Sequence, residues 1–347
     1  MTYRIGFACK YVDERQQLSN KLRKDIEQKY NFKTTTVKHL KSLNNQKQYD
    51  KLFDLIRHNM YAFSGQLEYL NRLSPNLRMM RIGSDILPLY SHPEFSWFYD
   101  SKDVKTFLLR NLEALGTLSR NNDCRLSFHP GQYCVLSSDK SNVIENSIKE
   151  FEYHADVARM MGYKNWHQDG FSINVHVGSR KGGIERLRKT ISQLSETAKN
   201  LITIENDEIS FDIDEVLKIS DMCPIVLDIH HQLISSNEYI KPNDVRFKKV
   251  IESWKGVRPK IHFSSSKESL IENLYPNDLP DMNYLLEQNF NKQKLRAHSE
   301  MCWNNNLNDW ALSFIEDADI MVEAKQKNLA SIQLYHRALS KGILKEF

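Results

Sequence analysis

The 347-residue sequence predicts an α/β fold, a (β/α)8 TIM barrel with a metal site at its C-terminal mouth. Three observations predict it. Eight short apolar or β-branched runs recur along the chain, segments with helical period separate them, and seven metal-type ligands lie within a few residues of the ends of the runs. Strand alternating with helix argues for βαβ crossovers and a parallel sheet. An open doubly wound sheet would gather its binding groups at one switch point, whereas here at least six of the eight runs offer one. Closure into a barrel turns those scattered ligands into one cluster.

The runs, in order, are residues 3–8 (YRIGFA), 77–82 (LRMMRI), 125–129 (RLSFH), 172–177 (SINVHV), 201–205 (LITIE), 224–228 (PIVLD), 259–263 (PKIHF) and 318–323 (ADIMVE). Between the second and third, Val104, Phe107, Leu108, Leu112 and Leu115 follow the i, i+3, i+4 rule for one buried helical face. Helical segments are also predicted at 49–73, 142–161, 183–200, 213–222, 244–254 and 323–341. Two regions depart from the alternation. Residues 31–51 are rich in Lys, Asn, Gln and Thr with little period, and are expected to form a surface insertion or a mobile loop. Residues 264–291, with Pro276 and Pro280, make an unusually long connection that leads into RAHSEMCW at 296–303, and long loops at a barrel mouth usually shape the substrate site.

A single barrel needs about 250 residues, so one domain spanning 1–347 is expected. The 40% hydrophobic and 27% charged content is ordinary for a soluble globular protein, and no apolar stretch approaches the roughly 18 residues of a membrane span. The opening MTYRIGFACKYVDE meets a charge too early for a secretory signal. An intracellular, cytoplasmic protein is therefore expected, nucleoid-associated in a bacterium or nuclear in a eukaryote. The 5 cysteines are odd in number and include no C-x-x-C pair, which argues against a disulfide framework and a structural zinc motif. A net charge of +4 permits an anionic partner without demanding one.

The ligand-type residues are His129, His176, Glu205, Asp228, His231, His262 and Glu323. Asp228 with His231 three residues on can serve two neighbouring metals, one from the strand tip and one from the loop; an ion pair or a loop-capping Asp is the alternative. Glu205 is the natural bridging ligand, because a carboxylate can bind one cation with each oxygen; a helix cap or a solvated acidic turn is the alternative. Any one strand histidine is more often a satisfied core residue than a ligand, but burying His129, His176 and His262 together without a shared cation would be costly. His39, His58, His154, His167 and His336 lie in helices or loops and take the structural assignment.

Lys260, two residues before His262, should point to the same barrel face by the pleat. Beside positive metals its amine would be pushed toward neutrality, and a neutral amine can capture carbon dioxide as a carbamate, an anionic ligand. A phosphate contact or a salt bridge is the alternative. Pro130 and Gly131 force a tight turn after His129, so Gln132 and Tyr133 should project from the mouth, where an amide and a ring could fill the gap left by displaced bases. A tyrosine packed on its own barrel is the alternative. Arg180 and Lys181 could hold a phosphate backbone or form a solvated turn.

The segments GSDILPLYSHPEF, RLSFHPGQYCVLSS, NVHVG, IENDE, LDIHH, KIHFSSS and RAHSEM, with the late Glu323, resemble the successive motifs of the UV damage endonuclease family, in the family's order across nearly the whole chain. The wider superfamily is xylose isomerase-like and includes endonuclease IV. The resemblance implies a DNA repair enzyme that nicks damaged duplex DNA 5′ of a photoproduct, leaving a 3′ hydroxyl, by metal-activated water attack. It implies three divalent ions, usually manganese, with zinc, cobalt or magnesium as substitutes. His129, His176 and Glu205 would hold one; Glu205, Asp228, His262 and Glu323 a second; His231 and His298 a third. Lys260 matches the family's carboxylated lysine, Gln132 and Tyr133 its lesion-probing pair, and His92 a histidine near the site. Glu205, Lys260 and His92 are the expected catalytic set.

The chain departs from the family at its start, where Phe7 and Tyr11 stand in place of a Tyr and an Asn, which leaves the damage spectrum open. The partner expected is damaged double-stranded DNA, with no membrane, and the protein a monomer. The rival activities are an abasic-site endonuclease and, more distantly, a metal-dependent sugar isomerase.

Overall fold

The computed structural model describes residues 2–15 and 17–345. Eight strands, β1 (Ile5–Ala8), β2 (Met79–Arg81), β3 (Arg125–Phe128), β4 (Ser172–His176), β5 (Ile202–Glu205), β6 (Ile225–Asp228), β7 (Lys260–Phe263) and β8 (Asp319–Val322), all parallel, close into a barrel in sequence order. The closing seam pairs Phe7 of β1 with Val322 of β8. Each strand lies within the run that predicted it. Parallel strands need a crossover on an outer face, and the helices supply it.

The main apolar cluster lies between the strands and this outer layer: Phe7, Ile82, Phe128, Ile173, Ile204, Leu227, Ile261 and Val322 all belong to it. Inside the barrel Ala8, Met79 and Met321 form a small separate apolar cluster, with Cys9 packed against it. The buried polar residues Arg81, Arg125, Ser127, Ser172, Asn174, Thr203, Glu205, Asp228, Lys260, His262 and Asp319 come from the same strands. Hydrophobic burial therefore holds the helices to the sheet, and polar contacts order the interior. At the start of the strands Asp319 receives Arg125 at 2.8 Å and Arg258 at 2.7 Å. Removing one partner of such a buried pair typically costs about 3–5 kcal/mol, so this contact locks the face opposite the strand tips.

The helix Lys102–Asn121 packs so closely on the end of the helix Ser141–Met160 that a Cβ on Gly116 would stand 1.9 Å from the Met161 carbonyl oxygen. The predicted helix at 183–200 is two helices, Gly183–Ile191 and Glu196–Leu201. The break falls at Ser195, which accepts from Ala198 N at 3.2 Å and donates to Glu152 at 2.7 Å. The last helix starts at Asn328, later than the pattern suggested, because a turn at Lys327 intervenes.

Residues 31–51 hold a short helix, Val37–Lys41, and the start of the long helix Asn45–Asn71. Their apolar contacts are few, the buried Leu40 with the partly buried Phe32, Val37 and Leu43, and side-chain amides add polar anchors that hydrophobic period does not reveal. The Asn31 side chain exchanges two hydrogen bonds of 2.8 Å with the Tyr11 backbone, and Asn59 does the same for Lys33 at 2.8 and 3.0 Å. Leu40 is fully buried. The long 264–291 connection likewise contains two short helices, Glu268–Ile271 and Met282–Glu287. Among the described residues no helix is long and apolar enough to cross a membrane.

Candidate metal centre

Register brings the ligand-type residues together. His176 pairs with Glu205 across β4 and β5, and Asp228 pairs with His262 across β6 and β7, so neighbouring strand tips present ligand-type side chains at the same height. His129 follows β3 directly, and Glu323 follows β8. The Oε2 of Glu205 lies 3.0 Å from His262 Nδ1 and 3.3 Å from His129 Nε2. Its Oε1 lies 3.9 Å from His231 Nδ1. Glu323 stands 3.3 Å from His262 and, through its other oxygen, 3.9 Å from His298. His231 Nδ1 is 3.5 Å from Asp228. Two groups, His129 with His176 and Glu205, and Glu205 with Asp228 and His262, have ligand atoms all within 4.8 Å of one another. Glu205 belongs to both.

These residues suit a bound cation on two grounds. His176 Nδ1, Asp228 Oδ2, His231 Nδ1 and His262 Nδ1 are buried with no hydrogen-bond partner among the described residues, and buried polar atoms without partners are otherwise rare. His262 Nδ1 approaches Glu205 to 3.0 Å without hydrogen-bond alignment, as two ligands of one centre would. The titration behaviour is equally unsettled. Burial drives the Asp228 carboxyl well above its usual range. It also lowers His262, to about 4, although Glu205 and Glu323 oppose it. His231 rises to about 9, since Asp228, Glu205 and Glu208 together outweigh its burial.

Three residues that the sequence did not single out hold this cluster. Asn174 donates its side-chain amide to Glu205, and Arg81 pairs with Glu323 while standing 3.5 Å from His262 Nε2. Glu208 approaches His231 at 3.8 Å and is paired to Arg296 at 2.8 Å. Asn174 precedes His176 by two residues on one strand, so the pleat argument that placed Lys260 would have placed it too.

Lys260 is buried one pleat below His262, and its Nζ donates to Ser172 Oγ at 3.0 Å. Burial, with Arg125 and Arg81 nearby, pushes its amine well below the usual lysine range. Among the described residues it has no ion-pair partner, so the salt-bridge alternative has no support. His92 is in neither candidate ligand group. It caps a turn by accepting from Glu94 N at 3.3 Å, and it shares a cavity of about 670 Å³ with Tyr133.

Gln132 lines the mouth itself, a cavity of about 950 Å³ that also takes in His129, His176, His231 and His298. Arg81, Lys267, Arg296 and Lys325 supply positive charge to its walls. Tyr133 is 85% exposed, so it does not pack on its own barrel. Arg180 donates to the Ile209 carbonyl at 3.1 Å, and Lys181 is exposed beside Asp139. His154 and His167 are hydrogen-bonded in the core, through Ser84 and the Phe171 carbonyl. Tyr11 packs between Tyr30 and Tyr69 at 4.5 and 4.9 Å, and Phe7 is buried outside the barrel lumen.

Comparison with known proteins gives the family and the fold. The family model described as UV-endonuclease UvdE matches residues 3–345. A UV DNA damage endonuclease of Bacillus cereus (strain Q1) is 30% identical over 319 residues, 89% of each chain. One of Bacillus anthracis (strain A0248) is 30% identical over 312 residues, 87% of each chain. In fold, the chain is similar to SacUVDE, with a TM-score of 0.73 and 24% identity over 99% of this chain and 100% of that one. It is also similar to endonuclease IV from Thermus thermophilus, with a TM-score of 0.52 and 12% identity over 80% and 94% of the two chains. From its motifs, its closed barrel and these matches, the chain belongs to the UV-endonuclease family UvdE.

Proposed function

We propose that this protein is a metal-dependent endonuclease that incises damaged duplex DNA on the 5′ side of ultraviolet photoproducts and leaves a 3′ hydroxyl. The observation that carries the proposal is the position of Glu205, whose carboxylate belongs to both candidate ligand groups. His129, His176 and Glu205 would hold one divalent ion; Glu205, Asp228, His262 and Glu323 a second; His231 and His298 a third, with manganese as the natural occupant. Ions bound there supply a water of lowered pKa and neutralise charge that develops on the phosphate.

The chain's own groups do the rest. Asn174 orients Glu205, and Arg81 holds Glu323 while adding a fixed positive charge beside it. Lys267, Arg296 and Lys325 attract the phosphate backbone without reading sequence. Gln132 and the exposed Tyr133 fill space left by displaced bases, so recognition depends on how readily damaged DNA deforms.

The test is incision by the manganese-loaded protein of matched duplexes carrying one photoproduct, one abasic site or no damage. A single nick 5′ of the photoproduct, abolished in a folded Glu205→Ala variant, is expected. Cutting at the abasic site alone would make the enzyme an abasic-site endonuclease. No cutting of either duplex would refute the proposal.

A further inference from the structure

Lys327 occupies a turn between Glu323 and the helix Asn328–Ser340. The Leu329 N–H donates to the Gln326 carbonyl at 2.9 Å, which closes a four-residue turn. Lys327 is second in it, with φ 49° and ψ −115°. Those angles belong to the second residue of a type II′ turn, where the Cβ of an L-residue crowds the backbone and glycine is the ordinary occupant. Strain of this kind persists only where the surroundings impose it, and it gathers at functional sites. Here they do impose it. The Asn328 side chain exchanges hydrogen bonds of 2.8 and 3.0 Å with the Val12 backbone, tying the turn to the segment after β1. The Lys327 carbonyl accepts from Ser331 N at 3.1 Å.

A lysine in a glycine position needs a reason, and the protein supplies none internally. Among the described residues the Lys327 ammonium makes neither an ion pair nor a hydrogen bond. Glu323, Arg81 and Lys10 are near enough to act on it electrostatically, and it acts in turn on His298. Its turn follows the tip of β8 and is tied to the segment after β1, so the residue sits at the mouth end of the barrel beside β8 and β1. Glu323 is already engaged by Arg81 and His262. A half-buried ammonium beside two other cations is unfavourable until an anion arrives.

We propose that Lys327 is a phosphate-binding residue, whose ammonium takes a backbone phosphate of the bound duplex at the rim beside β8 and β1, three strands around the barrel from the Gln132 and Tyr133 turn. The inference rests on the DNA-binding function proposed above. It makes the strain at Lys327 the cost of presenting a cation from a rigid seat.

The experiment measures binding of an undamaged and a photoproduct-bearing duplex to the full metal-loaded chain across a series of salt concentrations. Lys327→Met should weaken both duplexes by the same several-fold factor and reduce the slope of log affinity against log salt by about 0.9, one phosphate contact. Lys327→Arg should restore the slope. Lys327→Gly, which removes charge and strain together, should bind as poorly as the Met variant yet melt about 2 °C higher. An unchanged slope in Lys327→Met, or a Gly variant less stable than its parent, would overturn the proposal and leave Lys327 a structural residue. If the parent protein shows no salt-dependent duplex binding, the proposed function fails and this inference falls with it.

Discussion

The side-chain amide of Asn174 on β4 donates to Glu205 at the tip of β5, and the Thr203 hydroxyl donates to the Asn174 carbonyl oxygen at 3.0 Å. The hydroxyl decides which end of the amide faces the carboxylate, so the orientation of Glu205 is built into two adjacent strands. Partners that orient ligands are commonly worth about 10- to 100-fold in metal affinity or activity. Asn174→Leu is expected to weaken manganese binding, measured by calorimetry, by a factor in that range while the far-UV circular dichroism stays unchanged. Unaltered affinity would reduce the contact to a packing detail.

Asp228→Asn and His262→Ala should each lower the metal content found by mass spectrometry, because Asp228 Oδ2 and His262 Nδ1 are buried with no hydrogen-bond partner among the described residues. Full metal content in both variants would remove them from the ligand set. A pH dependence accompanies this. Burial raises the folded pKa of Asp228 above its ordinary value of 3.8. In the metal-free chain its contribution to stability is thus fully present below that value and is lost as pH rises through the raised one. Metal-free Asp228→Asn should lack that part of the loss, which thermal melts of the two metal-free chains at pH 4 and pH 7 would reveal.

Lys260 is expected to carry a carbamate in the metal-loaded protein. Its buried amine is pushed well below the usual range, so the nitrogen lone pair is free to add to the carbon of carbon dioxide, and the product loses one proton to become an anion. Protein prepared in ¹³C-bicarbonate should show a labelled carbamate carbon by NMR that is missing from Lys260→Ala, and added bicarbonate should not restore that variant's activity. A persistent ammonium bonded only to Ser172 would defeat the assignment.

The double variant Gln132→Ala with Tyr133→Ala should keep its metals and its melting temperature, since the exposed Tyr133 contributes little to the core. Stacking on a base is worth about 1 to 3 kcal/mol. Binding to photoproduct-bearing DNA should therefore fall by tens of fold, with little change on intact duplex. Equal losses on both would make these residues ordinary backbone contacts.

Strand positions were legible in the sequence because a buried strand writes itself locally, as a short run of β-branched and apolar residues. Every barrel strand falls inside such a run, and the ligand-type residues at the tips could be read from their place after it. Residues 31–51 were not legible, because their apolar contacts are few, Leu40 with Phe32, Val37 and Leu43, and the amides of Asn31 and Asn59 hold the rest. The sequence alone determined the barrel and its family, and it pointed to the residues of the candidate metal centre. Only the tertiary structure decided which polar residues meet: Arg81 with Glu323, Asn174 with Glu205, and Lys260 with Ser172. Such pairs join residues up to 242 positions apart. Their meeting depends on register and closure, which the packing of all eight strands against the outer helices sets together, and no local stretch of the chain encodes it.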